Sequence, residues 1–282
     1  MSSSQTWFVT GASQGLGAVL VEHLLAAGHQ VVATTRSLAA LAHLASDRLL
    51  PLQADLADEA SVQRAVQAAV DRFGRIDVLV NNAGYGLLGG VEEVGDAEAR
   101  RIFDVNVFGL LNVTRAVLPV MRDAGRGHIL NLSSVFGLVA GAGWGLYCST
   151  KFAVEGLSEA LAQEVAPFGV KVTLIEPGYF RTNFLTGGSL ASASAPIAAY
   201  DQIRSVHEAH AQIDGTQLGD PAAAARAMIA VVGQDSPPLR LLLGSDALAY
   251  ARAKLGALAQ DFDRNAALTQ STDYPAPVLE PA

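Results

Sequence analysis

Cysteine is nearly absent: Cys148 is the only one in 282 residues. No disulfide can close within the chain, and a cysteine-based zinc site is excluded. Beside Tyr147 and with no histidine paired to it, Cys148 reads as a small buried residue rather than a nucleophile. Charge is sparse, at 16 % of residues, with a net charge of −8 and no lysine/arginine cluster, so nucleic acid is not an expected partner. Long hydrophobic runs are missing too. The longest stretch without charge or strong polarity, residues 135–148, is too short to span a bilayer and is broken by Gly137, Gly141, Gly143 and Gly145. It reads as a flexible apolar loop. The first residues, Met1 to Gln5, have no basic or long apolar segment and do not read as a signal peptide. Among six histidines only His207 and His210 approach a ligand spacing, without obvious partners, so a solvated helix face is expected and no metal. These absences fit a reduced, cytoplasmic protein that avoids membranes. Half of the residues are apolar, enough to fill the core of one large α/β domain.

What is present is alternation. β-branched runs at 6–10, 30–35, 49–54, 76–81, 128–132, 170–175 and 239–243 predict strands. Ala/Leu-rich segments at 16–27, 59–73, 147–166 and 221–232 predict helices, with a long one capped by Asp96, carrying Asn106 and reaching Pro119. Asp58 is a candidate N-cap, Gly28, Gly74 and Gly125 are helix stops, and Pro221 suits a first helical turn. Strands alternating with helices predict a doubly wound parallel sheet, a Rossmann fold, in a single domain over residues 1–270. Residues 185–219 fall outside the alternation and read as a variable substrate loop. The helix 246–270 and a flexible tail, 271–282, follow.

The first strand runs into Thr10-Gly11-Ala12-Ser13-Gln14-Gly15-Leu16-Gly17, and a helix follows. Such a turn lets backbone approach a pyrophosphate, and the helix start presents free N–H groups. Gly11, Ser13, Gln14, Gly15, Leu16 and Gly17 are therefore candidate dinucleotide contacts. No Gly-Lys-Ser/Thr follows, which argues against an ATPase or kinase. Asp55, with Leu56 next to it, could accept a hydrogen bond from an adenine amino group, or could simply start a helix. Asn82, Ala83 and Gly84 end the fourth strand at the edge where such sheets bind ligands, and could equally form a turn. The second strand ends in Thr35-Arg36-Ser37, with no acid to hold ribose hydroxyls. Arg36, with Ser13 near it, suits a 2′-phosphate, so NADP is expected over NAD, which stays open. Tyr147 and Lys151 lie four apart on a helix, where residues nearly touch. An ammonium beside a phenol favours phenolate, the setting for acid/base work.

These motifs, with Asn106, Ser134 and Pro177-Gly178 followed by Thr182, occur in the order seen in the short-chain dehydrogenase/reductase family, which the chain resembles over residues 5–182 and more loosely near 239–243. The resemblance implies an NAD(P)-dependent enzyme that interconverts a ketone or aldehyde and an alcohol. It implies Tyr147 as general acid/base and Lys151 as the group that lowers the Tyr147 pKa and binds the nicotinamide ribose. Ser134, rather than Ser133, would hold the substrate oxygen, and Asn106 would hold a water linked to Lys151. Thr182 would contact the carboxamide, in a pocket shaped by Pro177 and Gly178. The same scaffold can host an epimerase or lyase with tightly bound cofactor, or a regulator that only binds the dinucleotide. Aromatic residues near the variable loop favour a hydrophobic carbonyl or alcohol as the small-molecule substrate. A homodimer or homotetramer through the helices starting at Asp96 and Tyr147 is compatible with the sequence.

Overall fold

The computed structural model describes residues 4–44, 46–185 and 188–274. Seven parallel strands form the central sheet, in the order β3-β2-β1-β4-β6-β7-β9. They are β1 (Thr6–Val9), β2 (Gln30–Thr35), β3 (Leu49–Gln53), β4 (Val78–Asn81), β6 (Gly127–Leu132), β7 (Val170–Pro177) and β9 (Arg240–Leu243). The expected Rossmann-like sheet is thus present. Strand order reverses between β1 and β4, and an open α/β sheet leaves its ligand crevice at such a reversal.

Alternation along each strand divides the core between two faces. Trp7 and Val9 of β1 pack with Leu20, Leu24, Met228 and Val231, under α1 (Gly15–Ala26) and α7 (Pro221–Val232). Phe8, between them, faces the other way, with Val66, Val113, Met121 and Leu161. Those residues belong to α2 (Glu59–Phe73), α4 (Leu110–Asp123) and α5 (Gly145–Val165). Helix ends follow local chemistry. The Asp58 carboxylate accepts from the Ala60 N–H at 3.0 Å, and Gly74 closes α2 in the left-handed region at φ +74.

Some expectations are corrected. Asp96 does not cap α3 (Asp96–Phe103) but is its first residue. The preceding Gly95 donates its N–H to Glu98 at 2.9 Å instead. The helical run continues past Pro119 to Asp123, widened at Asp104–Gly109 into a π-turn that carries Asn106. This run, Asp96–Asp123, is apolar and long enough to cross a membrane, but half of its most apolar window is buried inside the molecule. Residues 135–148 are not a flexible loop. Val135 and Trp144 are buried, and the Trp144 ring lies 5.5 Å from both Phe136 and Tyr147.

The variable segment 185–219 has structure of its own. β5 (Gly86–Leu88) and β8 (Leu190–Ser192) pair as a second, two-stranded sheet, and α6 (Asp201–Gln212) follows. His210 on α6 does not face solvent. Its Nε2 is 2.8 Å from the Tyr179 hydroxyl and its ring stands 5.1 Å from Trp144. The His207 side chain lies outside what is described, as does the expected tail from residue 275. The last helix, α8 (Ser245–Gln270), buries Ala247 and Ala251 and exposes Leu255, Phe262 and Leu268.

A polar chain crosses the core beneath the crevice. The Asn81 amide donates to Thr114 at 3.0 Å and to Asn131 at 2.9 Å, and Asn131 donates to Ser158 at 2.8 Å. Asn131 is fully buried. Removing it leaves an Asn81 N–H donor and a Ser158 oxygen acceptor unpaired in the core, which costs about 1–3 kcal/mol. Asn131→Ala is expected to lose that much in urea unfolding, with the native circular dichroism retained.

Candidate active site

A cleft of about 820 Å³ opens along the C-terminal edge of the sheet. Its walls contain Gly11, Ser13, Gln14, Gly15 and Leu16 from the first turn, Arg36 after β2, and Asp55 and Leu56 after β3. Asn82, Ala83 and Gly84 come from the end of β4, and Ser134, Tyr147, Lys151, Pro177, Gly178 and Thr182 complete it. Two predicted residues are not on the wall. Gly17 is buried under the turn, where a Cβ would run into the Asn82 amide. Asn106 is buried behind Gly84 and Tyr85.

The glycine turn is held from behind. Asn82 Nδ2 donates to the carbonyls of Thr10 at 2.9 Å and Gly11 at 3.0 Å. The Thr10 hydroxyl accepts from the N–H groups of Asn82 at 3.0 Å and Ala83 at 3.1 Å. Gly11 sits at φ +63, and a Cβ there would stand 2.7 Å from Ala83 Cα. Only glycine fits this approach. The first turn of α1 carries no acidic residue, and Gln14 makes no side-chain cap. Its N–H groups are left for an anion, as a dinucleotide pyrophosphate requires. Gln14 instead donates to Ser189 at 2.7 Å, fastening the variable loop to the turn. No carboxylate pairs with Arg36 among the described residues, so its guanidinium is available at the cleft wall. The donor set therefore fits a dinucleotide. The Asp55 carboxylate accepts from the Ala57 N–H at 3.0 Å, so Asp55 shapes the turn before α2 as well as lining the cleft.

At the inner end, α5 places Tyr147 and Lys151 on one face, as the four-residue spacing requires. Both are buried, at 5 % exposure each. Burial pushes the Tyr147 phenol well above its ordinary value, while hydrogen bonding with Ser134 pulls the other way. This differs from the expected lowering by Lys151. The cause is desolvation, which acts on both groups: burial brings Lys151 down to about 8, against the pull of Glu155. Lys151 Nζ lies 5.7 Å from the Tyr147 ring centre and donates to the Leu132 carbonyl at 2.7 Å. At neutral pH the pair is a neutral phenol beside an ammonium.

Ser133 and Ser134 point apart. Ser134 stands on the cleft wall with Tyr147, whose pKa it lowers, and accepts from the Phe136 N–H at 3.1 Å. Ser133 turns its hydroxyl away, toward Gly137 and Glu155. The Asn106 amide is committed: it donates to the Tyr85 carbonyl at 2.9 Å and to Thr150 at 3.1 Å, and accepts from the Tyr85 N–H at 3.0 Å. Thr182 sits over the glycine turn, its Cβ 4.0 Å from where a Gly15 Cβ would be.

Other wall residues have no motif. Leu87, Phe136, Trp144, Phe184, Leu185 and Leu190 make an apolar chamber around Tyr147. Glu98, Arg101 and Asp104 of the α3 region line another part of the cleft. Asp246 accepts from the Tyr179 N–H at 2.7 Å and fixes the turn after Pro177-Gly178. Asp246 lies far along the chain, and no local pattern marks its partner.

The family model for short chain dehydrogenases matches residues 5–189. The oxidoreductase BOA17 of Botryotinia fuckeliana is 37 % identical over 252 residues, covering 88 % of this chain and 92 % of that protein. The crystal structure of a short-chain dehydrogenase from Streptomyces avermitilis superposes with a TM-score of 0.91 at 38 % identity, over 96 % of this chain and 100 % of that one. ElxO, solved with NADP bound, superposes with a TM-score of 0.71 at 26 % identity, over 88 % of this chain and 100 % of that one. Sequence, fold and cleft agree: the chain belongs to the short-chain dehydrogenase/reductase family of oxidoreductases.

Proposed function

We propose that this oxidoreductase interconverts a hydrophobic ketone or aldehyde and its alcohol, with NADPH preferred over NADH and with Tyr147 as the general acid/base. One observation carries the reading. Tyr147, Ser134 and Lys151 meet at the inner end of a cleft whose outer end is an uncapped glycine turn. Gly11, Gly15 and the first N–H groups of α1 would hold the pyrophosphate. Arg36 would hold the 2′-phosphate, with Ser13 beside it, and Asp55 and Leu56 would flank the adenine. Asn82, Ala83 and Gly84 would border the ribose side, and Thr182 with Pro177-Gly178 the carboxamide. When bound, the dinucleotide supplies or accepts the hydride at the carbon of the C–O group.

The protein supplies the rest. In reduction, negative charge builds on the carbonyl oxygen. The Tyr147 phenol, kept protonated by burial, gives that oxygen its proton. The Ser134 hydroxyl donates to the same oxygen and fixes its place. The remaining N–H groups of Lys151 can reach ribose hydroxyls, and its charge stabilises the phenolate left behind. Asn106 gives both amide hydrogens to Tyr85 and Thr150, so a water there would be held by the free lone pair of its Oδ1 or by the widened backbone turn. The apolar chamber of Leu87, Phe136, Trp144 and Phe184 excludes water and suits an apolar substrate.

Tyr147→Phe is expected to lower kcat by about 10²–10⁴-fold while NADPH still binds in a fluorescence titration. Turnover like wild type would sink this assignment. Arg36→Ala is expected to weaken NADPH by about ten- to a hundredfold, the worth of a hydrogen bond to a charged group, and to leave NADH unchanged. Michaelis constants for both cofactors check it, and an equal loss for both would refute the 2′-phosphate role.

A further inference from the structure

Behind the cleft lies a buried group of acids that the proposed chemistry does not use. Glu176, near the end of β7, is fully buried, and Glu155 of α5 is 6 % exposed. Arg240 of β9 reaches both: its Nε is 3.0 Å from Glu155 and 3.6 Å from Glu176. Its Nη2 turns outward to Glu159 at 2.8 Å. The Ser133 hydroxyl and Glu155 close on Gly137, where a Cβ would stand 2.5 Å from Ser133 Oγ and 3.1 Å from Glu155 Oε1.

Each member adjoins a site residue. Ser133 precedes Ser134, Glu155 lies one helical turn beyond Lys151, and Glu176 precedes Pro177-Gly178. We propose that Glu155 and Glu176 are positioning residues: a carboxyl pair that shares one proton, is closed by Arg240, and holds the segments bearing Ser134, Lys151 and Pro177 in register while setting the charge that Lys151 feels. The last part rests on the role proposed above for Lys151.

Two buried carboxyls that face the same guanidinium nitrogen disfavour each other's ionisation. Neither Glu176 oxygen accepts a hydrogen bond among the described residues, and burial together with the Glu155 charge pushes its carboxyl up to about 8, so the pair holds one proton. Glu155 is also raised by burial, against Ser133 and Arg240. A well-packed apolar filling could hold the same segments. What it could not do is act on Lys151, where Glu155 opposes the effect of burial. The other groups facing Lys151 are Tyr147 on its own helix, the Leu132 carbonyl from β6, and Asn106 across Gly84. None of these is a carboxylate.

The test compares Glu176→Gln, Glu155→Gln, Glu155→Asp and, as a control at the exposed edge, Glu159→Gln. The first readout is Tm against pH. A carboxyl protonated in the folded chain but ionised in the unfolded chain makes stability fall as pH rises from the ordinary 4.5 to about 8. Glu176→Gln cannot titrate, so its Tm relative to wild type should climb across that window, with Glu159→Gln parallel to wild type. A Glu176→Gln curve parallel to wild type would overturn the shared proton.

The second readout is the pH dependence of NADPH binding and of kcat. Without the Glu155 charge, the alkaline limb set by Lys151 should move from about 8 to lower pH by about one unit, the low end of what one opposite charge does. Glu155→Asp should restore it. A Glu155→Gln limb that stays in place would make the residue merely structural and overturn its positioning role. Should wild type reduce no carbonyl compound, the reading of the site fails separately. Tm and NADPH binding then still decide the pair.

Discussion

Burial of a phenol and an ammonium one helical turn apart is the constraint on which the rest of this molecule depends. Desolvation disfavours the charged form of each, so it raises Tyr147 and lowers Lys151. The outcome at neutral pH is a proton donor beside a cation, the state that carbonyl reduction needs. A helix can set such a pair by spacing, but only a fold can bury it. Here that takes the end of β6, the Trp144 and Phe136 rings, and the variable loop closing from above.

The cleft is a consequence of the sheet. Strand order reverses between β1 and β4, and the turn after β1 is pinned to the end of β4 through Thr10, Gly11 and Asn82. That tie leaves the start of α1 uncapped and open. The buried chain Thr114-Asn81-Asn131-Ser158 then joins α4, β4, β6 and α5, so the helix bearing Tyr147 is fixed to the strand beside the glycine turn. Both ends of the cleft are referenced to the same two strands.

Much of this was legible in the residues. Strand and helix periods placed the seven strands of the main sheet, because short β-branched runs alternate with helical segments and the central strands β1 and β4 are buried on both faces. The glycine turn, Ser134 and the Tyr147–Lys151 pair stood in order along the chain, and the fold brings them to one cleft. Other features depend on contacts distant in sequence. β5 and β8 are three residues each and pair only with one another, so no periodicity announces them. His210 looked solvent-facing by spacing, yet Tyr179 and Trp144 enclose it. The fate of the Tyr147 pKa turned on burial, which spacing does not measure. Glu155 and Glu176 looked like ordinary helix and strand acids until β7 and β9 brought Arg240 to them.

The central claim is that this cleft brings a hydride source and the Tyr147 proton to the two ends of one C–O bond. NADPH deuterated at the transferable position, incubated with hydrophobic ketones and analysed by mass spectrometry, tests it most directly. The account predicts an alcohol with deuterium on the carbinol carbon and a solvent proton on the oxygen. Bound NADPH that passes no deuterium to any ketone, or a product whose new carbon-bound hydrogen comes from solvent, would contradict it.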